Sequence, residues 1–547
     1  MKIFRTSLTA ISLITVGLLL GSSNDSYYSK VNESIERFTT IFKEISLNYV
    51  DEIEPDQFVQ HGIDAMLKTL DPYTVYFDEE DNQDFSMLQS NSYVGLGLSL
   101  ATRDSMLTIV GVYEGGVSDR NGLLVGDKII KIDTTYTLYK SSEDVRELTT
   151  GPVNSVVVLT LLRNANRDTV TTTLQRESII IKSVPFYTIL DNSIGYIQLT
   201  RFSSSSFKEV KDALVDLKKD SDLKGLILDL RGNPGGLLES SINILELFVP
   251  KGSRLVSTKG RNDGSAKIFN SNIEPIDSET PLIVLINNES ASASEIVAGA
   301  IQDLDRGIIL GQVSFGKGLV QSIVPISRKG ALKLTTSKYY TPSGRSLQKV
   351  DYFSRRNGND NQVHPPSKEF LTAHNRIVKE ENGISPDSII KQIEYSPFVR
   401  AVLNSNYIFT YVNDEYPLLQ EKFKTGISST VLVQQFEKYL EFEGFQYESS
   451  MSDLLKALSQ QATTEKLSKS ILTTISDLEK TIQKESKSLF KAHYLDIQYL
   501  LEREIAYRKM SKKDYYIYAF QKDLNVTSSL AIFTSKNNYS KMIGNLR

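Results

Sequence analysis

The sequence predicts a multidomain chain of class α+β/α/β. It has a helical N-terminal region, a strand-rich block, an α/β core on a largely parallel sheet, and a helical C-terminal domain. Three observations carry this. From about 184 to 345, strand-like runs alternate with helical ones, the pattern of crossover units that build a parallel sheet. From 92 to about 176, short apolar runs are punctuated by glycine, as in Tyr93-Val94-Gly95-Leu96-Gly97-Leu98. From 388 onward the chain is Lys/Glu/Ser-rich and apolar at helical spacing. At 547 residues the length calls for several domains.

Composition narrows the partners. Lys+Arg number 62 against 66 Asp+Glu, a net charge of −4, which argues against a nucleic-acid partner. The chain has no cysteine, so disulfides and thiolate metal sites are excluded. Residues 1–23 read as a signal peptide: Lys2 and Arg5, an apolar run from Leu8 to Leu20, then Gly21-Ser22-Ser23. The run is short for a membrane span, and no cysteine comes after it to carry a lipid anchor. Export to the periplasm is expected, with the segment either cleaved or kept as an inner-membrane anchor.

Taken in order, 27–91 is a helical region whose Ile35, Phe38, Ile41, Phe42, Ile45 and Tyr49 recur at helical spacing. Leu70-Asp71-Pro72-Tyr73-Thr74-Val75-Tyr76-Phe77 breaks it at the proline. The block 92–176 holds strands at Leu107 to Val112, Lys128 to Ile132, Val156 to Leu162 and Thr169 to Leu174, with a short helix from Ser142, placed to cap it. The core, 177–350, has strands at Gly195 to Leu199, Gly225 to Leu230, Pro281 to Ile286, Gly307 to Gly311 and Leu319 to Pro325. Its helices are Ser206 to Lys218, Leu237 to Phe248 and Glu295 to Leu304. Residues 351–387 are polar, a linker with a closing segment, and 388–547 form the helical domain, read as an accessory for packing or access control.

Two core segments carry chemistry. In Asn287-Asn288-Glu289-Ser290-Ala291-Ser292-Ala293-Ser294-Glu295-Ile296 a strand runs into serines that open a helix, where free N–H groups and the dipole can stabilise an oxyanion. Lys317 lies between glycines in Ser314-Phe315-Gly316-Lys317-Gly318. Histidines occur only at 61, 364, 374 and 493, away from both segments, so a hydrolase built here needs lysine as its base. Phe315 and Leu319 flank that lysine, and an apolar wall would favour its neutral form. A serine before a helix is ordinarily just a cap, and a lysine in a turn is ordinarily solvated. The glycine turn Arg231-Gly232-Asn233-Pro234-Gly235-Gly236 also comes after a parallel strand, and an N–H of Gly235 or Gly236 with that of Ala293 would make the oxyanion hole. Gly311 to Lys317 also fits most of a phosphate loop, but Gly318 lacks a hydroxyl for magnesium and a strand stands next where a helix belongs.

Together these segments resemble the C-terminal processing, or tail-specific, peptidases, a family of serine–lysine proteases. Leu70-Asp71-Pro72-Tyr73, Asp229 through Gly236, Ser290 through Ile296 and Phe315-Gly316-Lys317-Gly318 match its motifs, as do Tyr340 through Ser346 and Gly383-Ile384-Ser385-Pro386-Asp387. The resemblance covers roughly 30 to 390. It implies Ser292 as nucleophile, Lys317 as general base, Gln321 as the residue orienting that lysine, and no metal or nucleotide cofactor. Asp303 matches a family position too; about 16 Å along the helix from Ser292, it is expected to support rather than react. The block 92–176 resembles a PDZ domain, with Gly95-Leu96-Gly97-Leu98 as the loop whose N–H groups take a peptide's terminal carboxylate. The implied activity is an exported endopeptidase that recognises free apolar C-termini of unfolded or tail-marked proteins. Two alternatives stand beside it: a catalytically silent PDZ scaffold, and an enzyme latent until a partner or second copy docks on the C-terminal helices.

Overall fold

The computed structural model describes residues 27–78, 91–103, 105–163, 168–219, 222–327, 330–352, 368–391, 394–425, 429–447, 449–486, 488–535 and 538–544. The expected signal peptide and part of the linker lie outside these. No described helix is long and apolar enough to cross a membrane. The chain divides into two compact units: Met1–Glu79 with Gln321–Thr335 and Tyr352–Asp360, and Glu80–Val320 with Thr336–Asp351 and Asn361–Arg547.

In the first unit α1 spans 27–48 and α2 spans Pro55–Leu67, with its proline in the first turn, where no N–H is needed. Phe42 stacks on Phe58 at 6.1 Å between ring centres. Ile35, Phe38 and Ile41 stay more than half exposed, so the predicted apolar face is only partly used. Asp71 then shapes the turn. Its carboxylate accepts the N–H groups of Tyr73 (3.0 Å) and Thr74 (3.1 Å) and the Thr74 hydroxyl, steering the chain into β1 (Val75–Asp78).

The second unit begins with β2 (Ser92–Gly95), β3 (Leu98–Arg103), β4 (Met106–Val112), α3 (Val117–Arg120), β5 (Lys128–Ile132) and β6 (Thr135–Tyr136). Next are α4 (Ser142–Thr149), β7 (Val156–Arg163), β8 (Asp168–Gln175) and β9 (Glu177–Ile180). The sheet order is β3-β4-β5-β7-β8, and β2 pairs with β9. Period-two burial sets the register: Val157, Leu159 and Leu161 all face the core. The cap of α4 is Ser141, not the expected Ser142. Ser141 stands three residues before Asp144, so each side chain bonds the other's backbone N–H in a capping box.

The core adds β10 (Phe186–Leu190), β11 (Ile194–Gln198), α5 (Ser206–Lys219), β12 (Gly225–Asp229) and α6 (Leu238–Leu245). Then come β13 (Arg254–Gly260), β14 (Lys267–Asn270), β15 (Leu282–Ile286), α7 (Ala293–Asp303), β16 (Ile308–Gly311), β17 (Leu319–Ser327) and β18 (Gly330–Tyr340). Helix α6 is shorter than predicted because the chain tightens into i→i−3 bonds at Leu247 and Phe248 before Pro250. β17 pairs with β18, and the division between units falls within both strands. In the first unit Val75 faces Lys333; in the second, Ser257 of β13 faces Tyr340. The linker is partly ordered as the hairpin β19 (Glu369–Leu371) and β20 (Ile377–Lys379), and β21 (Ser388–Ile389) closes the main sheet. That sheet runs β10-β11-β12-β15-β16-β21 and is parallel except at β10.

The remaining helices are α8 (Pro397–Asn404), α9 (Tyr407–Thr425), α10 (Ser429–Phe442), α11 (Ser450–Thr464), α12 (Lys469–Ser486), α13 (Leu489–Ala492), α14 (Tyr494–Lys509), α15 (Lys512–Phe520), α16 (Leu524–Thr534) and α17 (Asn538–Met542). A bundle core forms from α8, α9, α10 and α14. Phe409 of α9 lies under both Arg103 of β3 (4.2 Å) and Arg508 of α14 (4.6 Å), which fastens the strand-rich domain to the bundle.

Every strand of the main sheet from β12 to β16 is buried on both faces, and alternate residues feed two cores. Leu226, Leu228, Val284, Ile286 and Ile309 pack under α5, α6 and α7. Ile227, Ile283, Leu285, Ile308 and Leu310 face the other way, and α15, α16 and α17 cover them with Phe520, Val526, Phe533 and Tyr539. The ring of Phe533 lies 2.7 Å from where a Cβ on Gly225 would stand. The end of the C-terminal region thus supplies one side of the core's hydrophobic packing. Of the two roles expected for this region, packing or access control, this contact is packing.

Candidate active site

Parallel strands β12 and β15 are neighbours, so the turns at their carboxyl ends meet at one edge of the sheet. After β12 comes Arg231 to Gly236; after β15, Asn287 to Ser292. The Gly232 N–H donates to Asn287 Oδ1 (2.9 Å), and the Asn233 carbonyl accepts the Ala291 N–H (3.0 Å) and the Ser294 hydroxyl (2.9 Å). A Cβ on Gly235 would stand 2.9 Å from both Ser292 Cβ and Ala293 N, and one on Gly236 would stand 2.1 Å from the Phe202 carbonyl oxygen. Only glycine allows this approach.

Burial separates the three alternating serines. Ser290 and Ser294 are buried, and their hydroxyls donate to the carbonyls of Leu230 (2.8 Å) and Asn233. Ser292 is half-exposed at the N-cap of α7, with φ 54° and ψ −112°. A non-glycine residue there is strained, a condition that persists only where surrounding structure enforces it. The enforcement comes from a residue to which residue patterns alone assigned no role. Glu295 is fully buried. One of its oxygens accepts the N–H groups of Ser292 (2.8 Å) and Lys317 (2.9 Å); the other accepts the Ser314 hydroxyl (2.6 Å) and the Gly316 N–H (2.8 Å). Burial pushes its carboxyl up from the ordinary value, against the pull of these four donors. The shared oxygen keeps the backbones of the Ser292 and Lys317 segments within two hydrogen-bond lengths. Tyr339 adds a second tie, its hydroxyl donating to the Lys317 carbonyl and standing 3.3 Å from that of Ser292. The three-residue spacing from serine to glutamate was a visible capping-box signal.

The other expected residues occupy several places. Lys317 is half-buried; Leu319 beside it is buried, while Phe315 is 45% exposed and gives less of an apolar wall than anticipated. Directly after Gly318 the chain enters strand β17, so the phosphate-loop alternative fails on its missing helix. The Gly235 N–H donates to Asn233 Oδ1 (2.9 Å), which leaves the N–H groups of Gly236 and Ala293 as the donors to consider for an oxyanion. Gln321, in the first unit, donates to Thr335 Oγ1 (3.2 Å), which in turn donates to Asp71 (3.1 Å). Asp303 supports the closing segment, accepting Arg345 Nη2 (2.7 Å) and the Ser343 N–H (3.0 Å). Among the described residues no group of side chains is arranged to hold a metal ion.

In the strand-rich domain, β3 pairs only with β4 among the described residues, so its outer edge is open to an added strand. Gly95-Leu96-Gly97-Leu98 forms the turn into it, with Gly97 at φ 68° and the Leu96 carbonyl held by Ser118 Oγ (2.6 Å). The ring of Tyr93 folds back over Gly95, 2.6 Å from where a Cβ would stand. The Tyr93 hydroxyl faces the N–H groups of Gly97 and Leu98. Burial, with the Tyr113 phenol adding, pushes Tyr93 up to about 12 against the pull of those N–H groups.

Fold and site together are those of a serine peptidase with an attached peptide-binding domain. Residues 193–352 match the model of peptidase family S41, 108–163 that of the PDZ domain, and 19–81 that of the activating protease CtpB N-terminal domain. Residues 398–533 match the C-terminal helical domain of probable PDZ-proteases. The carboxy-terminal-processing protease of Bartonella bacilliformis is 35% identical over 342 residues, covering 62% of this chain and 77% of that one. The carboxy-terminal processing protease CtpA of Bacillus subtilis is 28% identical over 454 residues, covering 81% and 93%. Among solved structures, a photosystem II D1 C-terminal processing protease is 25% identical with a TM-score of 0.35, covering 65% of this chain and 92% of that one. The chain belongs to the carboxy-terminal-processing proteases, serine peptidases of family S41 that carry a PDZ domain.

Proposed function

We propose that this chain is an exported endopeptidase that captures apolar protein C-termini in its PDZ domain and cleaves the captured chain with Ser292, using Lys317 as base. The observation that carries this reading is the shared Glu295 oxygen, which holds the Ser292 and Lys317 backbones together at a strained turn. Ser292 Oγ attacks the scissile carbonyl carbon, and its proton passes to neutral Lys317 Nζ. The oxyanion is received by the N–H groups of Ala293 and Gly236. Collapse breaks the C–N bond, Lys317 returns the proton to the leaving amine, and an acyl-enzyme remains. Water, deprotonated by Lys317, then releases the acid and restores Ser292. The leader segment 1–23 directs the protein to the periplasm, cleaved or retained as an anchor.

The test uses an unfolded model substrate with a free apolar C-terminus beside the same substrate amidated at its terminus. Cleavage of the first and sparing of the second is expected, because a neutral amide offers the loop's N–H groups one acceptor oxygen and no charge, and its own NH2 is a donor. Equal cleavage of both sinks tail recognition. Failure of a fluorophosphonate to label Ser292 would favour the silent scaffold.

Tyr93 bears on the same step. Its hydroxyl stands where an incoming carboxylate needs the Gly97 and Leu98 donors, so Tyr93→Phe is expected to tighten tail-peptide binding about fivefold, roughly the worth of one net hydrogen bond. Fluorescence anisotropy with a labelled tail peptide reads this. Unchanged or weaker binding means that the phenol does not compete.

A further inference from the structure

The C-terminal helices reach the catalytic edge at Arg231, the first residue of the glycine turn. Its guanidinium lies between two carboxylates far apart in the chain. On one side is Asp229, the buried last residue of β12, which accepts the Arg231 Nε (2.9 Å) and backbone N–H (2.9 Å) as well as the Tyr196 hydroxyl (2.7 Å). On the other is Asp523, with Oδ1 3.1 Å from Nη1 and Oδ2 2.9 Å from Nη2. Asp523 is also the N-cap of α16, accepting the N–H groups of Asn525 (2.9 Å) and Val526 (3.3 Å). Burial pulls the Arg231 guanidinium down, and the two carboxylates more than offset this, so it stays well above its ordinary value.

The position of Arg231 sets the position of the turn residues after it. Gly232 is bonded to Asn287, Asn233 to Ala291 and Ser294, and Gly235 abuts Ser292 and Ala293. An error at the start of such a turn passes to its end, since each link has one geometry. Asp229 alone holds the guanidinium from the strand side, leaving its outer edge to Asp523.

We propose that Asp523, supplied by the C-terminal helical domain, is a positioning residue for catalysis: by holding Arg231 from the side opposite Asp229, it fixes Gly235 and Gly236 against Ser292 and Ala293. This rests on reading Ser292 as nucleophile and Gly236 with Ala293 as oxyanion donors. A plain helix cap is the competing account, and asparagine separates the two. Asparagine caps a helix as well as aspartate does but carries no charge for Arg231.

The experiment uses the full chain, a quenched peptide substrate lacking an apolar free C-terminus, and a fluorophosphonate probe. Asp523→Asn is expected to stay folded and to melt only a few degrees below wild type, since the pair is largely buried but Arg231 keeps Asp229 as its partner and asparagine keeps the cap. Its kcat and its rate of Ser292 labelling should fall roughly tenfold to a hundredfold with KM nearly unchanged, the scale of a small misplacement of reacting groups. Asp523→Glu, which keeps the charge, should recover much of the loss. Wild-type kcat in Asp523→Asn, or a loss confined to KM, overturns the proposal. Asp523→Ser, another good cap, takes its place should the asparagine variant not fold; if neither folds, the residue serves stability and the proposal is overturned. Absence of labelling in the wild type would instead bring down the reading of Ser292.

Discussion

Ser292→Ala is expected to abolish proteolysis, with kcat falling on the order of 10⁴-fold or more, the scale seen when a nucleophile is removed from a hydrolase. The variant should fold normally. The bond that holds this residue to Glu295 comes from its backbone N–H, which alanine keeps. Tail-peptide affinity should also be unchanged, because the proposed binding loop at Gly95 to Leu98 belongs to a separate domain core. The neighbouring serines give the contrast. Ser290→Ala and Ser294→Ala each remove a buried hydroxyl that satisfies a carbonyl, so each should cost about 1 kcal/mol of stability and leave measurable turnover. Turnover of an unfolded substrate, with thermal unfolding beside it, distinguishes the three. Proteolysis surviving in a pure Ser292→Ala preparation would remove the nucleophile assignment.

Glu295→Gln should be nearly as damaging, although it exchanges a single oxygen for nitrogen. Both carboxylate oxygens accept two donors each. An amide nitrogen facing Ser292 and Lys317 turns two good hydrogen bonds into donor–donor clashes in a fully buried site, and one facing Ser314 and Gly316 clashes with the Gly316 N–H alone, because the Ser314 hydroxyl can turn to accept. If the nitrogen faces Ser292 and Lys317, the segments that carry these two residues separate. If it faces Ser314 and Gly316, the loop before Lys317 loosens. Each orphaned buried donor costs about 1–3 kcal/mol, so a loss of at least roughly 1–3 kcal/mol is expected. At temperatures where the variant is still folded, kcat should fall roughly 10²-fold or more, as for a misplaced reacting pair. Glu295→Asp, too short to reach all four donors, should fall between. A Glu295→Gln enzyme with wild-type kcat and melting temperature would show that the shared carboxylate does not set the site.

Much of this architecture was legible from residue patterns. The strand runs at Gly225 and Pro281 are short, apolar but for Asp229, and succeeded by the polar turn residues Arg231-Gly232 and Asn287-Asn288, which is how doubly covered parallel strands read. The serine and lysine segments stood out as candidate chemistry because few residue types can act as nucleophile and base, and histidine was absent nearby. Other residues were visible yet without a role. Glu295 reads as an ordinary helix-start acid, and Arg231 and Asp229 as charges bounding a turn. Their importance comes from burial and from partners that local patterns do not reveal.

The helical C-terminal domain shows the limit most clearly. Its helical character was expected, and α8 to α17 fill it. Yet nothing in the spacing of Phe520, Val526 and Phe533 says that they cover the second face of a sheet formed some 200 to 300 residues earlier. Nor does it say that Asp523 meets Arg231, 292 positions away. Periodicity, capping and motif chemistry act within a few residues and are therefore written locally, so element types, domain order and the reactive side chains come from the chain's own pattern. Which face is covered, which serine is left half-exposed and which buried charge gains a partner depend on long-range packing, because desolvation and hydrogen-bond satisfaction are set by whatever the fold brings within a few ångströms.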